Sequence, residues 1–402
     1  MGKKLSAEDL ANLIEAFEFV EDPRVQGRSK HLLIDIIFIS ICALLCGAES
    51  VIDISEFGRQ KEDWLKKYIK LPCGPPSHDT IARVLSIVNP EMMEVAFFSW
   101  VEHVIGSDKL KSISIDGKSV AGTARRYEAR FDQLHMVSAY SHELGLTLAQ
   151  TEAANRGNGE TSAILSCLDV LNLKGVTVLG DGALSQKGVI AKILEKEGNY
   201  VLPIKNNHPS SIVELNEIFA STKKGQFKTL TIKEAAHGRL EKRTCRHYQG
   251  EMSEEFAEKW KGFKSVFSIT RERSMPDTRP PYMRKQSDGH TVGKINGVAF
   301  RTSIETTYYV SSLKLDAAKA LAETRRHWAI ENNLHWSLDV AFREDQWMVR
   351  ANSLARSLSL LRKVAHNIIK RSGSPGSIRV RIKRAAWNND FLNQLISGKS
   401  DF

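Results

Sequence analysis

The stretch from Glu323 to Arg350, ETRRHWAIENNLHWSLDVAFREDQWMVR, gathers acids, histidines, tryptophans, asparagines and arginines in one continuous segment. Glu331 is its chemical centre. On a helix of 3.6 residues per turn, His327 and His335 sit one turn to either side of it, with Leu334 and Leu338 on the same face. A carboxylate on a half-apolar face needs a partner, because an unpaired buried charge is strongly disfavoured. Two other acids, Asp116 in ISIDG and Asp181 in VLGDG, follow strand-like runs and lie 65 positions apart. Adjacent strands of one sheet would bring their carboxyl ends together, and a late helix packed on that edge would add Glu331. Three such carboxylates make a hard oxygen site suited to Mg²⁺ or Mn²⁺. Two ions about 4 Å apart can activate a water or a 3′-hydroxyl and stabilise the leaving oxygen of a phosphodiester. The plain alternative for each Asp-Gly pair is turn chemistry, and Asp339, Glu344 and Asp345 are rival third acids.

Around these acids stand groups of the kind that position a nucleic-acid strand. Lys118, Lys205, Asn207, Arg239 and Arg325 are candidates for DNA phosphates, or else ordinary surface charge. Asn332 and Arg350 join the list of DNA contacts. Trp328, like Trp336, is either a platform for a base or a core residue at helical spacing. His327 and His335 would orient Glu331 or touch the phosphate rather than bind the metal, since Mg²⁺ prefers oxygen.

The elements that must hold these residues are legible from the pattern. A chain of 402 residues with 42% hydrophobic content has room for two or three globular domains. The formal charge of +10 and sequence pI near 9.2 imply a polyanionic partner. From Gln346 to Asn389 there is no acid, while Arg350, Arg356, Arg362, Lys363, Lys370, Arg371, Arg379, Arg381, Lys383 and Arg384 all fall there. Cys42, Cys46, Cys73, Cys167 and Cys245 are scattered and odd in number, which gives neither a disulfide framework nor paired zinc spacing. They read as reduced thiols of a cytoplasmic chain. The N-terminal residues have acids where an export signal needs an apolar run. The most apolar segment, Leu32 to Ala48, contains Asp35 and reads as a core helix rather than a membrane span.

Residues 5 to 21 read as an amphipathic helix, followed by helices through Asp35, through DISEFGRQKEDWLKKYI, through HDTIARVLSIV with Ser77 as its cap, and through EMMEVAFFSWVEHVI. The turn before Ser77 and the helix after it resemble half of a DNA-reading helical pair, or simply a packed helix. The order then becomes β-β-β-α-β-α-β: KSISIDG, LHMVSAYS and LGLTLAQTEA as an antiparallel meander, GVTVLGDG as a parallel strand, and NYVLPIK as a fifth strand. Gly198 is expected to stop the helix before that last strand. Residues 227 to 313 read as β-rich, with RERSMPDTRPPYMRKQSDGHT as a mobile loop. Helical pattern resumes near Asp316, and Leu354, Leu358, Leu361, Ala365 and Ile368 mark another amphipathic helix, ended by SGSPGS. The fold class expected is α/β, preceded by an all-helical N-terminal domain.

Seven ordered blocks carry a family resemblance: DPRVQGRSKHLLIDI, PPSHDTIARVL, ISIDGKSVAGT, VTVLGDGALSQ, NYVLPIKNN, HGRLEKR and HWAIENNLHWSLDVAFRED. Together they resemble the H-repeat-associated group of DDE insertion-sequence transposases through nearly the whole chain. The resemblance implies a ribonuclease-H-like catalytic core with a β-rich insertion at about 225–313, before the helix bearing the third acid. It implies Asp116, Asp181 and Glu331 as the metal-binding DDE triad, two Mg²⁺ or Mn²⁺ ions, and double-stranded DNA as partner, with a homodimer pairing two element ends. The corresponding segments are 1–108, helical and DNA-binding; 109–375, catalytic; and 376–402, a basic tail. Related families place an arginine four before the glutamate and a lysine seven after it, where this chain has His327 and Leu338. The group often shows arginine where this chain has Ala121, which puts one phosphate contact in question. A ribonuclease-H-like nuclease without strand joining, or a non-catalytic DNA-binding protein, would share much of this pattern.

Overall fold

The computed structural model describes residues 7–25, 27–106, 110–123, 133–154, 159–220, 225–236, 238–279, 290–295, 297–349 and 351–397. The chain forms two compact units, residues 1–172 with 328–402, and residues 173–327. The first unit opens with six helices: α1 (Ala7–Glu18), α2 (Leu33–Leu45), α3 (Val51–Gln60), α4 (Glu62–Leu65), α5 (His78–Ile87) and α6 (Pro90–Ile105). Their starts follow local chemistry. The side chains of Ser50, Ser77 and Asn89 accept the backbone N–H of Asp53, Thr80 and Met92, and Pro90 occupies the first turn of α6, where no backbone donor is needed.

α2 is the apolar run, buried almost all round. Its one acid has a structural use. Asp35 Oδ2 accepts the N–H of Leu71 at 3.0 Å and so ties down a residue held at φ 44°, a left-handed position that leucine seldom adopts. Burial raises the Asp35 pKa against the opposing hydrogen bonds of Leu71 and Lys70.

Three strands follow, β1 (Ser112–Ser119), β2 (His135–Ser141) and β3 (Leu146–Ala153), paired as the expected antiparallel meander and covered by α7 (Gly159–Val170). Asp116 does not end β1. It pairs with Ser138 in mid-ladder, and the strand runs on to Ser119. Gly117 is therefore a strand residue rather than a turn, and its need for glycine is spatial. A Cβ there would collide with the His135 ring and approach Glu160 Oε1 to 2.8 Å.

The second unit contains β4 (Thr177–Gly180), α8 (Lys187–Glu195), β5 (Asn199–Ile204), α9 (Pro209–Ala220), β6 (Phe227–Ala236), β7 (Arg239–Tyr248), α10 (Glu254–Lys259), β8 (Ser265–Pro276), β9 (His290–Ile295) and β10 (Val298–Ser311). Its strands are ordered β4-β5-β10-β8-β7-β6, with β9 on β10; β4 and β5 are parallel and the other pairs antiparallel. The β-rich insertion thus extends the sheet from β5. Leu179, Val201, Cys245, Phe267, Ile269 and Leu321 form its core. Two expectations change here. The turn after α8 is made by Glu197, at φ 56°, one residue before Gly198. Arg271–Pro276, expected in a loop, lie in β8 opposite Phe300–Glu305. Cross-strand ion pairs such as Lys242 with Glu272 at 2.7 Å allow so charged a segment to be a strand. Residues 280–289 of that expected loop lie outside the described residues, and its last two, His290 and Thr291, open β9.

α11 (Ala317–Ala329) leads into a π-helical segment, Ile330–His335, followed by α12 (Trp336–Val340), α13 (Asn352–Arg371), α14 (Ile378–Trp387) and α15 (Asn389–Ser397). α13 is the central helix of the first unit, packed against α2, α5, α6 and β3 and buried on all sides. Several cations of the acid-free basic run are therefore interior: Arg356, Arg362, Lys363 and Arg371 are all buried. Arg356 is bound by Glu91, Glu94 and Glu152 at 2.8, 2.9 and 3.3 Å, and Arg371 donates to the Val104 carbonyl at 2.8 Å. Asn367 exchanges two hydrogen bonds with the backbone of Thr147, at 2.8 and 2.9 Å, as a neighbouring strand would. These charges hold the interior together, because a buried ion needs a partner or a backbone acceptor.

Residues 376–402, expected as a tail, carry two helices as far as Ser397. Ile378, Ile382, Phe391, Leu392 and Leu395 give them an apolar face, and α15 packs against α1 and α13. Among the described residues no single helix is long and apolar enough to cross a membrane.

His366 on α13 is fully buried, and burial pushes its pKa down to about 3. The unfolded chain binds a proton near pH 6.5, which the folded state refuses. Stability from this group is therefore complete above about pH 6.5 and declines as pH falls toward about 3, by roughly 1.4 kcal/mol per pH unit. Denaturant titrations of His366→Leu should show a shallower fall between pH 7 and pH 5 than the wild type; an unchanged slope would contradict this.

Candidate active site

Asp116 lies on β1 with its side chain 18% exposed. Its Oδ1 accepts the N–H of Gly117 at 3.0 Å, while Oδ2 faces His335 Nδ1 at 3.6 Å. His335 closes the π-helical segment, which packs against β1. The widened turn is marked by the N–H of Trp336 donating to the carbonyl of Glu331, five residues back. The regular helix expected around Glu331 is thereby corrected. The extra residue in the turn places His335 beside Asp116 and leaves Glu331 exposed, its carboxylate without a hydrogen bond or ion pair among the described residues.

Lys118, two residues beyond Asp116 on the same face of β1, does not point to solvent. Only 12% exposed, its Nζ lies 2.8 Å from Asp339 and Asp345 and 3.4 Å from Glu344. Burial alone would lower its pKa; the three carboxylates outweigh this and raise it well above the ordinary lysine value. The N–H of Ala121 also donates to Asp345 at 3.1 Å, and a side chain at Gly122 would run into the Trp347 carbonyl. Glu344 is buried and reaches Arg362 at 3.6 Å, whose guanidinium lies 4.2 Å over the Trp347 ring. Burial raises the Glu344 pKa, yet Lys363, Arg362 and Lys118 more than offset this and hold it below its usual value. Lys118, expected at a DNA phosphate, is thus engaged by three acids in the free chain. The rival acids Asp339, Glu344 and Asp345 are occupied in holding it, because three carboxylates brought together, one of them buried, need a cation among them.

In the second unit, Asp181 caps a short 3₁₀ turn. Its Oδ1 accepts the N–H of Ala183 at 2.8 Å, and its Oδ2 faces Lys205 Nζ at 3.6 Å. Asn207 donates to the Gly182 carbonyl at 3.2 Å, which fixes the same turn. His327 belongs to this group. Burial pushes its pKa down to about 4, while Asp181 opposes and Lys205 adds to the shift, so the ring is neutral at pH 7.

Among the other expected DNA contacts, Arg239 is half-exposed at the start of β7, 3.8 Å from Glu241, and Arg325 is exposed but held by Glu234 at 2.6 Å. Asn332 donates to the Trp328 carbonyl at 2.9 Å. Trp328 and Trp336 are 38% and 55% exposed, which sets aside the reading of either as a core residue. Arg350 lies outside the described residues. Sequence reading passed over His135 and Glu160, 3.5 Å apart beside Gly117, because no motif or spacing ties them to Asp116.

For a divalent cation, the oxygen donors of Asp116, Asp181 and Glu331 are of the right chemical type. The carboxylates of Asp116 and Asp181 each have one oxygen on a backbone N–H and the other toward a basic side chain. Among the described residues, no three His, Cys, Asp or Glu side chains are gathered closely enough to hold an ion.

Residues 109–368 match the transposase DDE domain, and residues 14–101 match the domain associated with it. The chain is 31% identical over 98% of its length to "Putative transposase YncI" of Escherichia coli O157:H7, covering 96% of that protein. It is 30% identical over 97% of its length to "H repeat-associated putative transposase YhhI" of Escherichia coli K12, covering 99% of it. A solved piggyBac transposase synaptic complex with hairpin DNA aligns with 97% of this chain and 78% of its own, at TM-score 0.41 and 8% identity, too distant for any argument. Two domain matches in the family's order, and relatives aligned nearly end to end, make this chain a member of the H-repeat-associated DDE transposases.

Proposed function

We propose that this chain binds the terminal inverted repeats of its element, cleaves DNA there and joins the freed 3′-ends to target DNA. Asp116, Asp181 and Glu331 are the acids that carry the reaction. The observation that supports this most is the meeting of β1 with the π-helical segment, where His335 reaches Asp116 at 3.6 Å on the segment that also bears Glu331. A π-turn is a rare local departure from the α-helix and is frequently found at functional sites.

Two Mg²⁺ or Mn²⁺ ions, when bound by the three carboxylates, would supply Lewis acidity at the scissile phosphate. The chain's own groups do the rest. A water, and later the 3′-hydroxyl, attacks phosphorus as the bond to the leaving oxygen breaks in line. Lys205 and Asn207, beside Asp181, orient the phosphate, and the neutral His327 ring adds a hydrogen-bonding group there. His335 orients Asp116. The exposed rings of Trp328 and Trp336 offer faces on which a terminal base can stack. Asn332, Arg239 and Arg325 are further backbone contacts, the last two once released from Glu241 and Glu234. The helices of residues 1–108 contribute to holding the repeat, the ribonuclease-H-like chemistry resides in 109–375, and two copies act together in the cytoplasm.

The test is incubation of the full chain with its own flanking element ends and Mg²⁺, reading nicked and joined strands on a gel. Both products are expected. Nicks that never become joined strands, even from pre-cut ends, would reduce the chain to a nuclease; binding without nicks would make it non-catalytic. Ca²⁺ in place of Mg²⁺ should preserve the complex and suppress turnover, since its looser coordination misplaces the reacting oxygens.

A further inference from the structure

Most of the acid-free basic stretch is spent inside the protein, and α14 is where it reaches the surface. One side of α14 is used for packing: Ile378, Ile382 and Ala385 are buried, and Arg381 donates to the carbonyls of Gly376 and Ile369 at 3.0 Å. Arg384 lies 5.1 Å over the Phe391 ring. The opposite side carries Arg379, Lys383 and Trp387 at i, i+4 and i+8, a single row along the helix. All three are exposed, and Trp387 is 80% exposed. Arg379 and Lys383 have no carboxylate partner among the described residues, and the helix itself contains no acid.

An indole so far in water on a ten-residue helix is unusual, since large aromatics normally cover apolar surface. Flanked by unpaired cations, it suits a partner that is polyanionic and has flat apolar groups between its charges. We propose that the Arg379–Lys383–Trp387 face of α14 docks on the DNA sugar-phosphate backbone outside the catalytic acids, as a sequence-independent clamp. This rests on the reading of the chain as a DNA-acting enzyme. Arg379 and Lys383, roughly 5–6 Å apart along the row, neutralise phosphates of one strand. Trp387 lies against the sugar or an exposed base beside them. The arrangement supplies affinity without sequence information, so it serves element ends and unrelated target DNA alike.

The experiment measures binding of the full chain to a duplex of unrelated sequence across a salt series. Wild type is compared with Arg379→Ala/Lys383→Ala, with Trp387→Ala, and with Lys314→Ala/Lys319→Ala, an equal loss of charge elsewhere. The α14 double variant should lower the slope of log affinity against log salt by about two. Trp387→Ala should weaken binding several-fold at unchanged slope, because an apolar contact against the sugar is lost without loss of charge. The control pair should leave both within error. Equal losses in the control, or an unchanged slope in the α14 variant, would overturn the assignment while leaving the transposase reading standing. A Trp387→Ala chain that changes from dimer to monomer with DNA affinity intact would instead make this face a contact between copies. A wild type that binds neither this duplex nor its element ends would sink the DNA-acting reading itself.

Discussion

Asp116→Ala is expected to slow DNA cleavage at least about a thousandfold while leaving duplex affinity within a few-fold of wild type. Losing one acid of a metal-assisted site removes several kcal/mol of transition-state stabilisation, and each 1.4 kcal/mol is about tenfold in rate. The fold should survive the change. Asp116 is half-buried in a ladder whose backbone pairing with β2 needs no side chain, and its carboxylate accepts the N–H of the adjacent Gly117 and faces His335. Cleavage rates and gel-shift affinities measured on the same preparation separate the two effects. Cleavage that persists at the wild-type rate would remove Asp116 from the chemistry.

Lys118→Met should cost the folded state about 1–3 kcal/mol, because it leaves Asp339 and Asp345 without their shared cation, while the buried Glu344 keeps Arg362 at 3.6 Å. The lysine is nearly buried, but Asp339 and Asp345 are each about a third exposed, so water moderates the loss. The sign with pH follows from its raised pKa. The contribution is complete below the unfolded value of 10.5 and is lost only as pH rises through the still higher folded value, so the full cost is present at neutral pH. Denaturant unfolding at pH 7 checks this, and Lys118→Met combined with Asp339→Asn and Asp345→Asn should recover part of the loss. A single variant as stable as wild type would mean that the cluster does not hold β1 to the segment after Glu331.

The helical N-terminal region, the meander, the parallel β4–β5 pair and the core position of α2 were all legible, since each has a clean hydrophobic period or a capping residue such as Ser77. Three features were hidden for identifiable reasons. The π-turn at Ile330–His335 depends on where His335 finds a partner on β1, a long-range contact that local helical periodicity cannot report. The burial of Lys118, Arg356 and Arg362 depends on acids up to 265 positions away, as with Arg356 and Glu91, which charge read along the chain does not report. α9 drew no notice because Pro209–Ala220 follows a strand end and opens on Pro-Ser-Ser, which reads equally well as loop. The resemblance to known transposases named the three acids; the local surroundings of Asp116 and Asp181, each with a basic side chain at 3.6 Å, became visible only in the fold.

The claim on which the rest depends is that Asp116, Asp181 and Glu331 share divalent ions. Crystals of the full chain with a duplex of its element end, grown with Mn²⁺ and read by anomalous scattering, test it most directly. The account predicts manganese peaks within about 2.0–2.3 Å of carboxylate oxygens from all three residues. Peaks among Asp339, Glu344 and Asp345 instead, or three acids held apart on the bound DNA, would contradict it.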